Sequence, residues 1–97
     1  MANTKYKQQG EAAAARRKEA GLYVKRLREK TELTQRELAQ KLNFDYYTFI
    51  SQVESGAARV PPETMELWAK VLEVPKQQFA KTLLRHYDPH MFECLYG

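Results

Sequence analysis

Three residues of types that bind metal ions, His86, His90 and Cys94, recur at intervals of four near the C-terminus. On a continuous helix this spacing would place all three on one face as metal ligands. Pro89 interrupts such a helix and no fourth ligand is evident, so we expect no metal site. The sequence also shows no glycine-rich phosphate loop, nucleophile elbow or paired carboxylates, and we therefore expect neither an enzyme nor a cofactor.

A second stretch with chemical potential is Asp45-Tyr46-Tyr47-Thr48, which lies between two runs of helical periodicity. A folded domain usually keeps part of each aromatic ring inside, so adjacent tyrosines at the start of a helix need a reason. Either one ring packs into the turn, or the rings are exposed for a function. Burial of both rings is the less expected arrangement.

Positive charge is concentrated in the first third of the chain. Residues 1–30 hold nine lysines and arginines against three glutamates, or +6, and the total of +4 leaves −2 for the remainder. A basic end on a near-neutral body is typical of proteins that bind a polyanion such as nucleic acid. A solvated, charge-rich helix face would give the same pattern, so charge alone does not decide between them.

The chain of 97 residues has the length of one domain with a modest core. Its one cysteine, Cys94, excludes an intrachain disulfide. The run Ala12–Ala15 is too short for a signal peptide or a membrane span, so we expect a cytosolic protein without a membrane partner.

Apolar residues recur with helical spacing, and β-type alternation is missing, so we predict an all-α fold. It would be a compact bundle of about five helices containing a helix-turn-helix, with a C-terminal helical extension. Residues 1–10 are predicted to form a frayed polar arm, and a helix should follow from Glu11. Gly21 leaves open whether this is one helix or two. In it we expect inward Val24 and Leu27 and outward Lys25, Arg28 and Glu29.

Two short helices should flank a tight turn at Asn43. Thr34 and Glu37 form a capping box for the first, and Asn43 suits a left-handed position at its end. Phe44 should fill the core beneath the turn, and Asp45 should cap the second helix, which stops at Gly56. The apolar residues expected to face the core are Leu38, Ala39, Leu42, Phe49, Ile50 and Val53.

The rest of the chain predicts two more helices after an extended "AARVPP" loop, with Pro61 or Pro62 at a first helical position. A helix from about Glu63 to Leu72 should bury Trp68 in the core. The last helix carries Phe79, Leu83 and Leu84, and "YDPHMFECLYG" trails behind it.

The ordered set of these features resembles the lambda-repressor-like helix-turn-helix family, the Cro and Xre group of bacterial and phage transcriptional regulators. The resemblance covers roughly residues 20–75. The matching residues are Leu27-Arg28-Glu29, Leu33-Thr34-Gln35, Glu37-Leu38-Ala39, Leu42, Ile50-Ser51, Val53-Glu54, Gly56, Arg59, Pro61 and the segment "ETMELWAKVLEV".

The chain departs from the family pattern in two spacings and two residues. One extra residue lies between Leu42 and Ile50, and another lengthens the loop at Ala57-Ala58. Glu32 and Asn43 stand where glycines are common in the family. The longer turn changes which side chains are expected to reach DNA bases.

The resemblance implies that the second helix of the motif lies in the major groove of double-stranded DNA, with its N-terminal residues at base edges. Gln52 can pair with adenine, Thr48 and Ser51 can donate or accept, and a tyrosine can contact a thymine methyl or a phosphate. Gln35 is expected to touch phosphate and brace this helix, or else to be a solvated polar residue. The residues expected at DNA are Gln35, Arg36, Tyr46, Tyr47, Thr48, Ser51, Gln52, Ser55 and Arg59.

The sequence therefore divides into a basic N-terminal arm or helix extension (1–19), a helix-turn-helix domain (20–75) and a predicted dimerisation segment (76–97). The last segment has more apolar residues than a core of this size should consume, which is typical of an interface. The alternative is that the tail folds back over the domain. The residues expected in a homodimer are Phe79, Leu83, Leu84, Tyr87, Met91, Phe92, Leu95 and Tyr96.

A transcriptional regulator, most simply a homodimeric repressor on an inverted repeat, is the leading hypothesis. The competing hypothesis is an antitoxin-like or adaptor protein whose tail binds a protein partner, with DNA binding secondary or absent. A cytoplasmic location in bacteria, or expression from a phage genome, follows from the resemblance.

Overall fold

The structure is a computed structural model that describes residues 3–97, with side chains described from Gly10 onward. Over these residues it contains six α-helices, one 3-10 turn and no strand, which confirms the predicted all-α class. None of the described helices combines the length and apolar character that a bilayer crossing requires. The elements are α1 (Asn3–Lys30), α2 (Gln35–Lys41), α3 (Thr48–Ser55), the 3-10 turn (Pro62–Thr64), α4 (Met65–Val71), α5 (Lys76–Tyr87) and α6 (Pro89–Tyr96).

The first helix is continuous and longer than expected. It begins at Asn3 and passes through Gly21 without a break, so the frayed arm expected over residues 1–10 is wrong for residues 3–10. Residues 1 and 2 lie outside the described part. Strong helix formers on both sides of Gly21 explain the continuity, because one glycine costs about 1 kcal/mol within a helix. Ala20 and Val24 face the core.

The turn between α2 and α3 combines correct and incorrect predictions. The capping box is confirmed: Glu37 N–H donates to Thr34 Oγ1 at 3.0 Å, and Thr34 N–H donates to Glu37 Oε1 at 2.9 Å. Asn43 has a φ of 62°, as predicted for a left-handed residue. Glu32 is also left-handed, with a φ of 61°.

The expected Asp45 cap was wrong. The α3 helix begins at Thr48, and its N-cap residue Tyr47 makes no side-chain capping hydrogen bond. The extra residue in the turn explains this difference. Phe44 is held back towards α2 because its N–H donates to Ala39 O at 2.9 Å, and the chain needs the next three residues to reach α3.

The core lies where α1, α3, α4 and α5 meet. Trp68 is fully buried, as predicted, and its ring centroid lies 6.2 Å from that of Phe44, which packs at the core edge under the turn. Gly56 ends α3 in the predicted left-handed conformation, with a φ of 89°. The buried apolar residues are Ala20, Val24, Leu38, Ala39, Leu42, Ile50, Val53, Val60, Trp68, Ala69, Leu72, Phe79 and Leu83.

The C-terminal residues form a helical hairpin rather than a trailing segment. Pro89 occupies the first turn of α6, where its missing N–H is tolerated, and α6 packs against α5. The break separates His86 on α5 from His90 and Cys94 on α6. Within residues 10–97, whose side chains are described, no three metal-binding side chains cluster closely enough to hold an ion.

Candidate nucleic-acid interface

A buried carboxylate, Glu54, joins the first three helices behind the outward face of α3. Its Oε2 accepts from Arg28 Nε at 2.7 Å, and its Oε1 accepts from Arg28 Nη2 at 3.0 Å. The same Oε1 accepts from Gln35 Nε2 at 3.0 Å, while Arg28 Nη1 donates to Leu33 O at 2.8 Å. Every oxygen of the buried carboxylate is therefore paired, as a buried charge requires.

The position of Arg28 corrects the sequence prediction, which placed it outward. Its side chain is 11% exposed and Glu54's is 4% exposed. The hydrogen bond to Glu54 raises the pKa of Arg28 above its ordinary value, so the guanidinium stays charged. Helical periodicity places this position beside the apolar stripe, and a partner 26 residues away in α3 turns it inward. Arg28 and Glu54 are both among the residues that match the lambda-repressor-like family. That match was the feature of the sequence from which their pairing could have been predicted.

Gln35 stands at the first position of α2 and is half-buried. Its amide donates to Glu54, so it braces α3 as the resemblance implied, and it is not a freely solvated residue. The carbonyl oxygen of the same amide forms no hydrogen bond within residues 3–97. The side chain therefore links the start of α2 to the inner side of α3.

The contact between α1 and α3 is close enough to require glycine. A Cβ on Gly21 would lie 2.2 Å from Glu54 O and 2.6 Å from Val53 O, which is a steric overlap with fixed backbone. At the end of α3, Gly56 abuts the backbone of Arg17 and Lys18, and Arg17 Nε donates to Gly56 O at 3.2 Å. These contacts fix the position of α3 on the domain.

The two tyrosines in the turn differ in exposure. Tyr46 is 78% exposed, whereas Tyr47 is 43% exposed and is therefore more than half covered. The guanidinium carbon of Arg36 lies 5.3 Å from the centre of the Tyr47 ring, a cation–π contact between α2 and the turn.

The polar residues of α3 continue the same outward surface. Thr48, Gln52 and Ser55 are exposed, and Ser51 is partly exposed. Ser55 Oγ donates to Gln52 O at 3.1 Å and accepts from Ala57 N–H at 3.4 Å, so its hydroxyl is already used locally. The remaining polar side chains of this face make no hydrogen bond to the described protein. We refer to Arg36, Tyr46, Tyr47, Thr48, Ser51 and Gln52 as the α3 face.

Arg59 does not join the α3 face. Its guanidinium forms an ion pair with Asp88, at the junction of α5 and α6, and lies 4.6 Å from the centre of the Tyr87 ring. Tyr87 Oη accepts a hydrogen bond from Val60 N–H at 3.2 Å. Burial raises the pKa of Tyr87, so the phenol remains neutral near pH 7. The loop after α3 is thus fastened to the C-terminal hairpin.

The predicted dimer residues fall into two groups. Phe79 and Leu83 have no exposed surface, so their expected place in an interface is wrong: they pack against α1 within the core. The other group, which we call the tail patch, is at least partly exposed. It comprises Leu84, Tyr87, Met91, Phe92, Leu95 and Tyr96, of which Met91, Leu95 and Tyr96 are 59%, 62% and 54% exposed.

A groove of about 680 Å³ adjoins the tail patch. Its walls come from the loop after α3, the start of α4, and helices α5 and α6. Apolar groups dominate the lining, including Pro61, Met65 and Leu84, while Arg59 and Asp88 lie at one edge. Three residues of the tail patch, Leu84, Tyr87 and Tyr96, therefore belong to the lining of this groove.

A scan against protein-family models matches residues 19–81 to a helix-turn-helix domain. The matched residues include α2, α3 and the Arg28–Glu54 pair, whereas the whole N-terminal half of α1 and all of α6 lie outside them. This match confirms the resemblance inferred from the sequence. A search of curated proteins found no match.

Proposed function

Because the chain belongs to the helix-turn-helix domain family, we propose that it is a sequence-specific regulator of transcription that binds double-stranded DNA. It would act in the cytoplasm as a homodimeric repressor on an inverted-repeat operator. One observation carries this proposal: α3 is fixed from behind by the Glu54 network while its opposite face presents unpaired polar side chains. A rigid helix with free hydrogen-bonding groups is suited to reading base edges.

Direct base contacts would come from the first two turns of α3. Gln52 can form two hydrogen bonds with adenine, and Thr48 and Ser51 can each donate or accept. Tyr46 and Tyr47 would contact a thymine methyl or a phosphate, because their rings already extend into solvent.

Contacts to the DNA backbone would flank these residues. The side-chain amide nitrogen of Gln35 donates to Glu54, and its carbonyl oxygen can contact a phosphate through a bridging water. Arg36 can neutralise a phosphate beside Tyr47. Ser55 would contribute at the far end of α3. Arg59 would reach a phosphate only after leaving Asp88.

Dimerisation would use the tail patch. A domain of this size with a modest charge should bind DNA weakly, and two copies on half-sites about one helical turn apart would add affinity and specificity. In a two-fold dimer each copy presents the same surface, so α6 of one protomer can cover the groove of its partner. Tyr96 lines this groove and is 54% exposed, and Met91 and Leu95 are exposed on the same helix, which supports that arrangement.

Selection of random duplex DNA on the purified chain, at two salt concentrations, tests the DNA-binding proposal. We expect an enriched inverted repeat that is bound more weakly at high salt. Gln52→Ala should then lose about 1–3 kcal/mol of specific binding, or roughly 5- to 150-fold, with unchanged stability. Gln78→Ala on α5 is the matched control, because it removes another exposed glutamine. Equal affinity of the two variants would reject the assignment of α3 as the reading helix.

Sedimentation of the chain tests the dimer. Leu95→Lys should yield a monomer at concentrations where the unaltered chain is dimeric, since it places a charge on the tail patch. Leu67→Lys changes an exposed leucine of α4 and should leave the dimer intact. A monomeric unaltered chain that also enriches no DNA sequence would favour the alternative, a protein whose tail patch binds a different protein.

A further inference from the structure

Helix α1 carries basic residues close to the end of the proposed reading helix. We propose that the turn Arg16-Arg17-Lys18, named here the basic turn, is a second DNA contact that binds the phosphate backbone beyond the bases reached by α3. This inference rests on the proposed function and adds a separate site to it. The basic turn precedes residue 19, where the match to the helix-turn-helix family begins.

The basic turn is fixed in place beside α3. The Gly56 Cα is so close to α1 that an added Cβ would lie 2.9 Å from Lys18 N and 3.0 Å from Arg17 C. Arg17 Nε donates to Gly56 O at 3.2 Å and thereby closes the C-terminal end of α3. Four residues further along α1, Gly21 meets the α3 backbone. The cations therefore border Ser55, the last residue of α3, rather than lying on a mobile arm.

The charges of the basic turn have no acidic partner within the described residues. The ion pairs within the described residues join Arg28 to Glu54, Arg59 to Asp88 and Lys76 to Glu66, and none involves the basic turn. Arg17 uses Nε for Gly56, and its other guanidinium nitrogens form no hydrogen bond to described protein atoms. Arg16 is partly exposed and Lys18 is exposed, although the Nε atom of Arg16 itself is buried. Exposed cationic groups without a partner among the described residues suit phosphate oxygens.

The arrangement offers a cation on either side of the α3 end. Successive residues of a helix are separated by about 100°, so Arg16 and Lys18 flank the Arg17 contact on opposite sides. A duplex passing the end of α3 on either side therefore meets a positive charge. Phosphate charges recur about every 1.7 Å along duplex DNA, so no particular sequence is needed for this contact.

The test uses the full chain and the duplex recovered by selection, with flanking base pairs retained. The double variant Arg16→Ala/Lys18→Ala leaves the Arg17 contact intact, and alanine preserves helix formation. Lys25→Ala/Arg26→Ala is the matched control, because it removes two exposed cations from another part of α1. Affinity is measured between about 50 and 200 mM salt, where each phosphate contact contributes about 0.9 to the logarithmic salt slope.

We expect the Arg16/Lys18 variant to lose about one contact from this slope, because a duplex passing on one side meets one of the two cations. The unaltered chain should then lose about three- to fourfold more affinity than the variant across that salt range. The control pair should keep the slope of the unaltered chain, and trimming the flanks should bring the unaltered chain close to the variant. Arg16→Gln/Lys18→Gln repeats the measurement with longer uncharged side chains, should the alanine pair disturb folding.

Two results would overturn the inference. One is an unchanged salt slope in the Arg16/Lys18 variant, and the other is an equal reduction of the salt slope in the control pair. Neither result would contradict sequence-selective binding by α3. Failure of the unaltered chain to prefer any duplex sequence is a different result, which rejects the proposed function itself.

Discussion

The α1–α3 region and the C-terminal hairpin are held in place by different kinds of contact. In the first, Arg28, Gln35 and Glu54 tie three helices together, and backbone contacts at Gly21 fix the α1–α3 distance. In the second, α6 packs against α5 and leaves Met91 and Leu95 largely exposed. In the first region polar side chains bond the helices to one another, whereas in the second region apolar side chains remain on the surface.

Because the contacts differ, the two regions should respond differently to amino-acid substitutions. A helix held by paired charges and glycine contacts loses stability when one of those groups is altered. A helix that rests on one neighbour should tolerate exposed substitutions, with the effect appearing in association instead.

The largest effect is expected from Arg28→Met. It leaves Glu54 charged and buried without its partner, which should cost about 3–5 kcal/mol of unfolding free energy. Adding Glu54→Leu should restore much of the loss, because the double variant replaces the pair with apolar groups. Urea denaturation of both variants measures the difference. A loss below about 1 kcal/mol for the single variant would show that the network does not control the stability of this region.

Glycine replacements should give an effect of opposite sign at two positions of the same helix. Gly21→Ala forces a Cβ into α3 and should cost about 1–3 kcal/mol or more. Gly10→Ala meets nothing within 4 Å and should stabilise α1 by about 0.5–1 kcal/mol. Thermal unfolding of both variants checks the signs. A neutral Gly21→Ala would mean that α1 and α3 can separate freely.

At the hairpin, Asp88→Asn should change DNA binding more than stability. The ion pair with Arg59 is about half-exposed, so its loss should cost about 0–1 kcal/mol of unfolding free energy. Release of Arg59 should steepen the logarithmic salt slope of operator binding by about 1. The control is Glu66→Gln, which removes the exposed pair with Lys76. An identical slope in both variants would indicate that Arg59 does not reach phosphate.

The smallest effect is expected at the α2 cap under acid conditions. The Thr34 backbone N–H, followed by its hydroxyl, lowers the pKa of Glu37 below its ordinary value of 4.5. The ionised cap therefore stabilises the fold above that value, and its contribution is lost as pH falls through the lower folded pKa. Melting temperatures of the unaltered chain and Glu37→Gln should converge on acidification. Glu63→Gln, at an exposed carboxylate outside the cap, should show no such convergence.

Sequence reasoning succeeded where the cause was local. The capping box, the positive φ of Asn43 and the glycine end of α3 depend on neighbouring residues and were readable directly. It failed for Asp45, because the extra residue moved the start of α3 to Thr48.

The other errors came from contacts distant in sequence. Arg28 turns inward towards a carboxylate 26 positions away. In the sequence, Phe79 and Leu83 looked like more apolar residues than the core needs. In the structure both are buried, because α5 packs against α1. Exposure of Tyr46 and Tyr47 could be suspected from their adjacency but not assigned, since either ring had room to pack within a longer turn.

The fully buried Trp68 has a consequence for measurement. It is the single tryptophan of the chain, and its indole nitrogen lies in the core without an acceptor, next to Phe44 of the turn. Its fluorescence should therefore lie at short wavelength in the folded chain and shift to longer wavelength when water enters the core. Because Trp68 is remote from solvent, dissociation of α6 or contact with a ligand should leave this emission largely unchanged. One intrinsic fluorophore can thus distinguish unfolding from association in each of these experiments.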